Sequence, residues 1–401
     1  MNECKENLWM GNTPSNWKVE RLQWHLDEIN QKNSPVKTSS ILSLTNKLGV
    51  VPYSEKGNQG NVAKESIDEY KLAYPDTIVA NSMNILIGSV GYCNYYGCVS
   101  PVYYVYKSKI GTNIKFVNYV FQTQEFQKEL RKFSKGILEI RLRVSSNDIL
   151  KRKVAFPSKN EQDKIVETLA KKESIINQLI SNQEKQIEKL KEYRQAIITK
   201  AVTKGLDPNA PMKDSGVEWI GKVPLNWMTP KFKNLATLSN GREIEEDGGD
   251  IPVYGSGGIF KYTKRPLFEG TSLLTGRKGT IDNPMLVNGA FWTVDTMFYT
   301  SSINLKRVLP EYLFYAFKGC CNFGFYKSGS VLPSMTQTQI NNITIPLPTI
   351  EEQKQILAFL KAKMEKIDSL LSLLNRDIEK LNSYKKSLIY EYVTGKKRVS
   401  L

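Results

Sequence analysis

The sequence is written twice at two different offsets, and this unequal duplication restricts the possible architectures more than any other feature. Trp9-Met10-Gly11, then Pro14, Asn16 and Trp17, recur as Trp219-Ile220-Gly221, then Pro224, Asn226 and Trp227, displaced by 210 positions. Pro157-Ser158-Lys159-Asn160-Glu161-Gln162 recurs as Pro348-Thr349-Ile350-Glu351-Glu352-Gln353, and Ile187-Glu188-Lys189-Leu190 as Ile378-Glu379-Lys380-Leu381, both displaced by 191. Self-similarity of this kind marks repeated structural units. The order is A-B-A′-B′, with B of constant length and the second A shorter by 19 residues.

The B segments read as long helices. Ser158-x-x-Glu161 and Thr349-x-x-Glu352 have the form of capping boxes, in which hydroxyl and carboxylate each satisfy a backbone N–H at a helix start. Apolar residues then follow a 4-3 rhythm: Ile165, Leu169, Ile176, Ile180, Ile187, Leu190 and Ile197 in the first copy, and Ile356, Leu360, Ile367, Leu371, Leu374, Ile378, Leu381 and Leu388 in the second. Even the interruptions correspond, Lys172 with Lys363 and Arg194 with Lys385. A stripe of roughly 38 residues spans about 57 Å at 1.5 Å per residue, too long for a small neighbouring domain to bury, so the two helices are expected to pack on each other. Their charges nearly cancel, which suits a spacer better than a polyanion-binding face.

The A segments mix β-branched and aromatic runs, such as Pro101 to Tyr106, with glycine-rich turns such as Tyr254-Gly255-Ser256-Gly257-Gly258, the texture of small α+β domains. The fold expected is therefore α+β: two globular domains separated by two long antiparallel helices forming a coiled coil, with an internal pseudo-two-fold. The boundaries expected are residues 1–156 for the first domain, 157–204 for the first helix, 205–348 for a linker and the second domain, 349–395 for the second helix, and 396–401 for a basic tail.

With 56 Lys and Arg against 40 Asp and Glu, the net charge of +16 points to a polyanionic partner. Residues 1–156 carry 21 basic against 14 acidic side chains and residues 205–348 carry 14 against 12, so phosphate anchoring is expected to be stronger in the first domain. Two A domains related by a two-fold would act as a dimeric DNA-binding protein does, reading two half-sites; because A and A′ differ, the half-sites should differ. Candidate DNA contacts are Lys56, Tyr92, Asn94, Tyr95, Tyr96 and Lys107 in the first domain, and Arg242, Lys261, Lys264, Arg265, Arg277, Lys278, Thr280 and Lys327 in the second. Arg277 and Lys278 lie between two glycines, where a guanidinium could reach guanine bidentately or an ammonium a phosphate.

Catalysis by the chain itself finds little support. His25 is the one histidine, so Ser-His-Asp or Cys-His chemistry would depend on it, and a zinc site built on Cys93 and Cys98 lacks further ligands. No Gly-x4-Gly-Lys-Ser/Thr phosphate loop or amino-methyltransferase Asn/Asp-Pro-Pro-Tyr/Phe motif occurs, and Pro75-Asp76 is not followed by a convincing Glu-x-Lys nuclease partner. The five cysteines, odd in number and including adjacent Cys320 and Cys321, are expected to be reduced thiols. No apolar run of about 18 residues suggests a membrane span, and a prokaryotic, cytoplasmic, nucleoid-associated protein is expected.

Lys213-Asp214-Ser215-Gly216-Val217-Glu218-Trp219-Ile220-Gly221 with Pro224 and Trp227, Pro346 to Gln353, Ile251 to Ile259, and Thr275 to Thr280 together resemble the motifs of specificity subunits of type I restriction-modification systems. The first copy departs by retaining only Trp9-Met10-Gly11 and Pro14 to Trp17 of the lead-in. The resemblance implies two target recognition domains reading a bipartite asymmetric site, and helices that set the unread gap. It further implies double-stranded DNA and two adenine-methylating modification subunits as partners, with or without two restriction subunits. S-adenosylmethionine would reside on the modification subunits, ATP and Mg on the restriction subunits, and no cofactor on this chain. The competing readings are a self-sufficient methyltransferase or restriction enzyme with its own recognition domains, and a coiled-coil scaffold without base readout.

Overall fold

The computed structural model describes residues 9–45, 49–57, 66–135, 142–244, 246–327 and 333–399. Cys4 and the last two residues of the expected tail lie outside them. The chain divides into one unit of residues 1–182 with 376–401 and another of residues 183–375. Two long helices, Lys159–Lys204 and Ile350–Val393, each begin in one unit and end in the other. Each unit thus holds one A domain, the start of the helix that follows it, and the end of the other helix.

In the first unit the helices run antiparallel. Lys385 Nζ donates to Asn177 Oδ1 at 3.1 Å, while Arg398 Nη1, beyond the end of the second helix, donates to Glu161 Oε1 near the start of the first. Ile165, Leu169, Ile176, Leu388, Ile389, Tyr392 and Val393 share one core with Met10, Trp17, Phe116 and Phe156 of the domain. The domain is built on a four-stranded antiparallel sheet in the order Leu26–Ile29, Tyr103–Ser108, Thr77–Asn81, Val90–Cys93. Three two-stranded sheets accompany it, and helices Ile114–Gln122 and Gln124–Arg131 pack their apolar faces into the same core.

The second unit repeats the helix pairing. Arg194 Nη2 donates to Asp368 Oδ1 at 2.6 Å, the counterpart at the 191 offset of Lys385 with Asn177. Ile198, Ala201, Val202, Ile356, Leu360, Met364 and Ile367 join Trp227, Phe232, Tyr312 and Phe317 in its core. Its domain carries a different sheet, six strands in the order Ala236–Asn240, Met297–Ile303, Phe268–Gly276, Met285–Thr293, Ile251–Gly255, Gly258–Thr263. One pair, Ile251–Gly255 with Met285–Thr293, is parallel.

All fifteen stripe residues named from the sequence are buried or half-buried. Periodicity misjudged one position: Ile198, 1% exposed, is the core residue, and neighbouring Ile197 only half-buried. The helix turns about 100° per residue, so adjacent isoleucines compete for one slot and tertiary packing selects between them.

Candidate nucleic-acid interface

A common frame holds the two dissimilar sheets. Lys18 pairs with Phe156 and Arg21 with Lys153 as antiparallel strands; Met228 pairs with Leu347 and Lys231 with Thr344 at the same repeat positions. These pairings bring the two ends of each domain together at the start of its long helix. There, Trp17 Nε1 donates to Glu161 Oε1 at 3.2 Å in one unit, and Trp227 Nε1 to Glu352 Oε1 at 2.9 Å in the other. Gln162 is 1% exposed; its Nε2 donates to Pro157 O, and its Oε1 accepts the backbone N–H of Asn113. Gln353, fully buried, does the same with Pro348 O and the N–H of Leu309.

This geometry corrects the capping-box expectation. Ser158 and Thr349 do accept the N–H of Glu161 and Glu352, both at 3.3 Å. The carboxylates, however, are turned to the tryptophan indoles, because a buried indole N–H left unpaired would be the costlier vacancy. The clasp went unread in the sequence, although its signal was present: Trp recurs at one offset, Glu and Gln at the other.

In the first unit, Asn94, Tyr95 and Tyr96 are exposed on the turn joining strands Val90–Cys93 and Gly97–Val99. Tyr92 is half-buried; its hydroxyl donates to Asp76, Lys115 Nζ lies 4.6 Å from its ring centre, and burial with the Asp76 contact pushes its pKa up to about 12. Lys107 is exposed on the strand Tyr103–Ser108, away from the turn in sequence, and Lys56 is half-buried with Nζ 4.7 Å from the Tyr53 ring centre. Val105 and Tyr106 are fully buried, so that strand is core.

In the second unit, the candidate cations sort into distinct roles. Lys261 reaches Asp247 at 3.2 Å and Arg265 reaches Glu246 at 3.9 Å, while Lys264 is exposed. Arg277 is half-buried, with Nη1 3.5 Å from Asp295 O; Lys278 and Thr280 are exposed on the same loop. Arg242 is exposed on the loop after strand Ala236–Asn240. The side chain of Lys327 lies outside the described residues.

Among the described residues no group of three or more His, Cys, Asp or Glu is placed to hold a metal, and no helix is long and apolar enough to cross a membrane. Cys93, Cys98, Cys320 and Cys321 are free and buried; burial raises all four thiol pKa values, that of Cys321 to about 12. His25 stacks on Phe156 and bonds Thr112 and Glu20.

Residues 224–382 match the family described as the type I restriction modification DNA specificity domain. Two curated relatives from Methanocaldococcus jannaschii are similar: the type I restriction enzyme MjaVIII specificity subunit, 26% identical over 287 residues, and the putative MjaX specificity subunit, 25% identical over 276. The family match places a specificity domain of this kind in residues 224–382. These alignments cover 62% and 64% of this chain, and 62% of each relative's own length. The fold is shared with two solved structures, each 13% identical. One, from work on complex assembly and conformational transition of the type I R-M system, has a TM-score of 0.72 and covers 96% of this chain and all of its own. The other, the HsdS subunit from Thermoanaerobacter tengcongensis, has a TM-score of 0.51 and covers 98% of this chain and all of its own.

Proposed function

We propose that this chain, with its specificity domain at residues 224–382, is the DNA-binding, non-catalytic specificity subunit of a type I restriction-modification complex. Each unit reads one half of a bipartite, asymmetric site in double-stranded DNA. The observation that carries this reading is the shared frame under unlike sheets. Register and clasp correspond at the two repeat offsets, yet one frame mounts a four-stranded antiparallel sheet and the other a six-stranded mixed one. A common frame suits equivalent partners; differing sheets suit differing half-sites.

On this reading the long helices set the unread gap and dock two adenine-methyltransferase subunits, which carry S-adenosylmethionine. Restriction subunits, with ATP and Mg, complete the nuclease. The test is to assemble the chain with its methyltransferase partner and map methylated sites. Exchanging residues 18–156 for another first domain should change one half of the site and leave the other intact. An unchanged site defeats the division of labour, and stoichiometric binding of S-adenosylmethionine by the isolated chain defeats its non-catalytic role.

A further inference from the structure

We infer that Arg242 is the side chain through which the second unit reads the major-groove edge of a guanine. The inference rests on the DNA-reading function proposed above and assigns its chemistry to one residue. The second unit's own geometry separates Arg242 from the other candidate cations.

Three loops of the second domain converge on the turn between strands Met285–Thr293 and Met297–Ile303. From the first loop, Gly241 N donates to Met297 O at 3.0 Å and Arg242 N to Thr293 O at 2.9 Å. The hairpin turn after Ile251–Gly255 is tied in when Val294 N and Thr293 Oγ1 both donate to Tyr254 O. The third loop arrives when Arg277 N donates to Thr296 O at 2.8 Å.

Arg242 is the most rigidly displayed cation there. Its own carbonyl accepts Trp292 Nε1 at 2.9 Å, and that tryptophan is 5% exposed. Before it stands Gly241, where a Cβ would lie 2.0 Å from Val294 O and 2.5 Å from Thr293 O, so only glycine lets the loop approach so closely. The backbone is thus held on both sides of an exposed side chain. Among the described residues, the guanidinium of Arg242 has no hydrogen-bond or ion-pair partner, whereas Lys261 and Arg265 rest on carboxylates and Arg277 points to its own scaffold at Asp295 O.

A guanidinium on a fixed backbone loses little freedom when it binds, and its planar fork matches the paired O6 and N7 acceptors of guanine. A lysine at the same place would supply charge without the fork. The lysines 264 and 278, exposed and single-pointed, suit phosphates, which position a protein on DNA without identifying bases.

The test uses the full chain assembled with its methyltransferase partner, and duplexes in which each guanine of the methylated site is replaced in turn by 7-deazaguanine, which lacks the N7 acceptor. The unaltered complex should lose roughly 5- to 100-fold in affinity at one guanine, as expected for a bidentate contact. Arg242→Ala should abolish the sensitivity at that guanine alone, with its thermal transition unmoved. Lys264→Ala should instead weaken binding evenly across sequences and lower the salt slope by about one. Full retention of 7-deazaguanine sensitivity in Arg242→Ala overturns the assignment, as does the reverse pattern in the two variants. An unaltered complex that binds random duplex as tightly as its methylated site defeats DNA reading itself.

Discussion

The indole N–H of Trp17 reaches the carboxylate of Glu161 across 144 residues of sequence, at 3.2 Å. Glu161 is 3% exposed, and the same oxygen accepts Arg398 Nη1 at 3.1 Å. Removing the carboxylate leaves a buried indole N–H unpaired and releases the half-exposed Arg398 side chain to water, so Glu161→Ala should destabilise the first unit by about 2 kcal/mol, and Trp17→Phe, which leaves Arg398 paired, by about 1 kcal/mol. Hydrogen exchange resolved by segment checks this: protection should fall around residues 9–21 and 153–165. Equal effects of the two substitutions would show that the clasp is not held by charge.

Both long helices give way to a glycine at φ +73°, Gly205 and Gly395. A residue with a Cβ there meets strain of roughly 1 kcal/mol whatever its surroundings. The surroundings differ: a Cβ on Gly205 comes no closer than 3.3 Å, to Trp227 Cζ2, whereas one on Gly395 lies 2.4 Å from Pro14 Cδ. Gly395→Ala should therefore cost about 1 kcal/mol more than Gly205→Ala in urea unfolding, the proline ring being unable to swing aside. The opposite order would refute the packing of Gly395 on Pro14.

Ile198 and Ile197 separate helix phase from composition. Truncating Ile198, 1% exposed, to alanine should cost about 2–4 kcal/mol, as for a core cavity, and truncating half-buried Ile197 about 1 kcal/mol. Urea unfolding of both variants decides, and similar losses would place the stripe one residue off.

His25 is the only histidine, so a histidine slope in stability near neutral pH belongs to it. Burial lowers its pKa from 6.5, more than the hydrogen bond and charge of Glu20 raise it. As pH falls through 6.5 the unfolded chain takes up the proton before the folded one does, so the contribution is complete above 6.5 and is lost on acidification towards the lower folded value. Thermal melting from pH 7.5 to 5.5 should fall more for the unaltered protein than for His25→Gln. Parallel curves would mean that burial does not govern the imidazole.

The extent to which the sequence announced the structure depends on the range of the interaction. The stripe Ile165 to Ile197 and its copy Ile356 to Leu388 were legible because helical periodicity is local and each stripe spans several turns. The partition of the candidate cations was not. Arg277 stood out between two glycines, yet the structure leaves it half-buried beside Asp295 while Arg242 projects from a pinned loop. Whether a cation is free depends on carboxylates such as Asp247 and Glu246, 14 or more residues away, and on the folded loops that carry them.

By itself, the sequence determined that the chain is duplicated, that two long helices carry one apolar phase, and that the segments between them differ. These are properties of identity and spacing along the chain. Only the tertiary structure decided that Glu161 and Glu352 clasp tryptophans rather than complete capping boxes, that each unit joins the start of one helix to the end of the other, and that matching frames support unlike sheets. Those outcomes turn on which distant groups become neighbours once water is excluded. A buried donor must then find its acceptor wherever the packed chain places one.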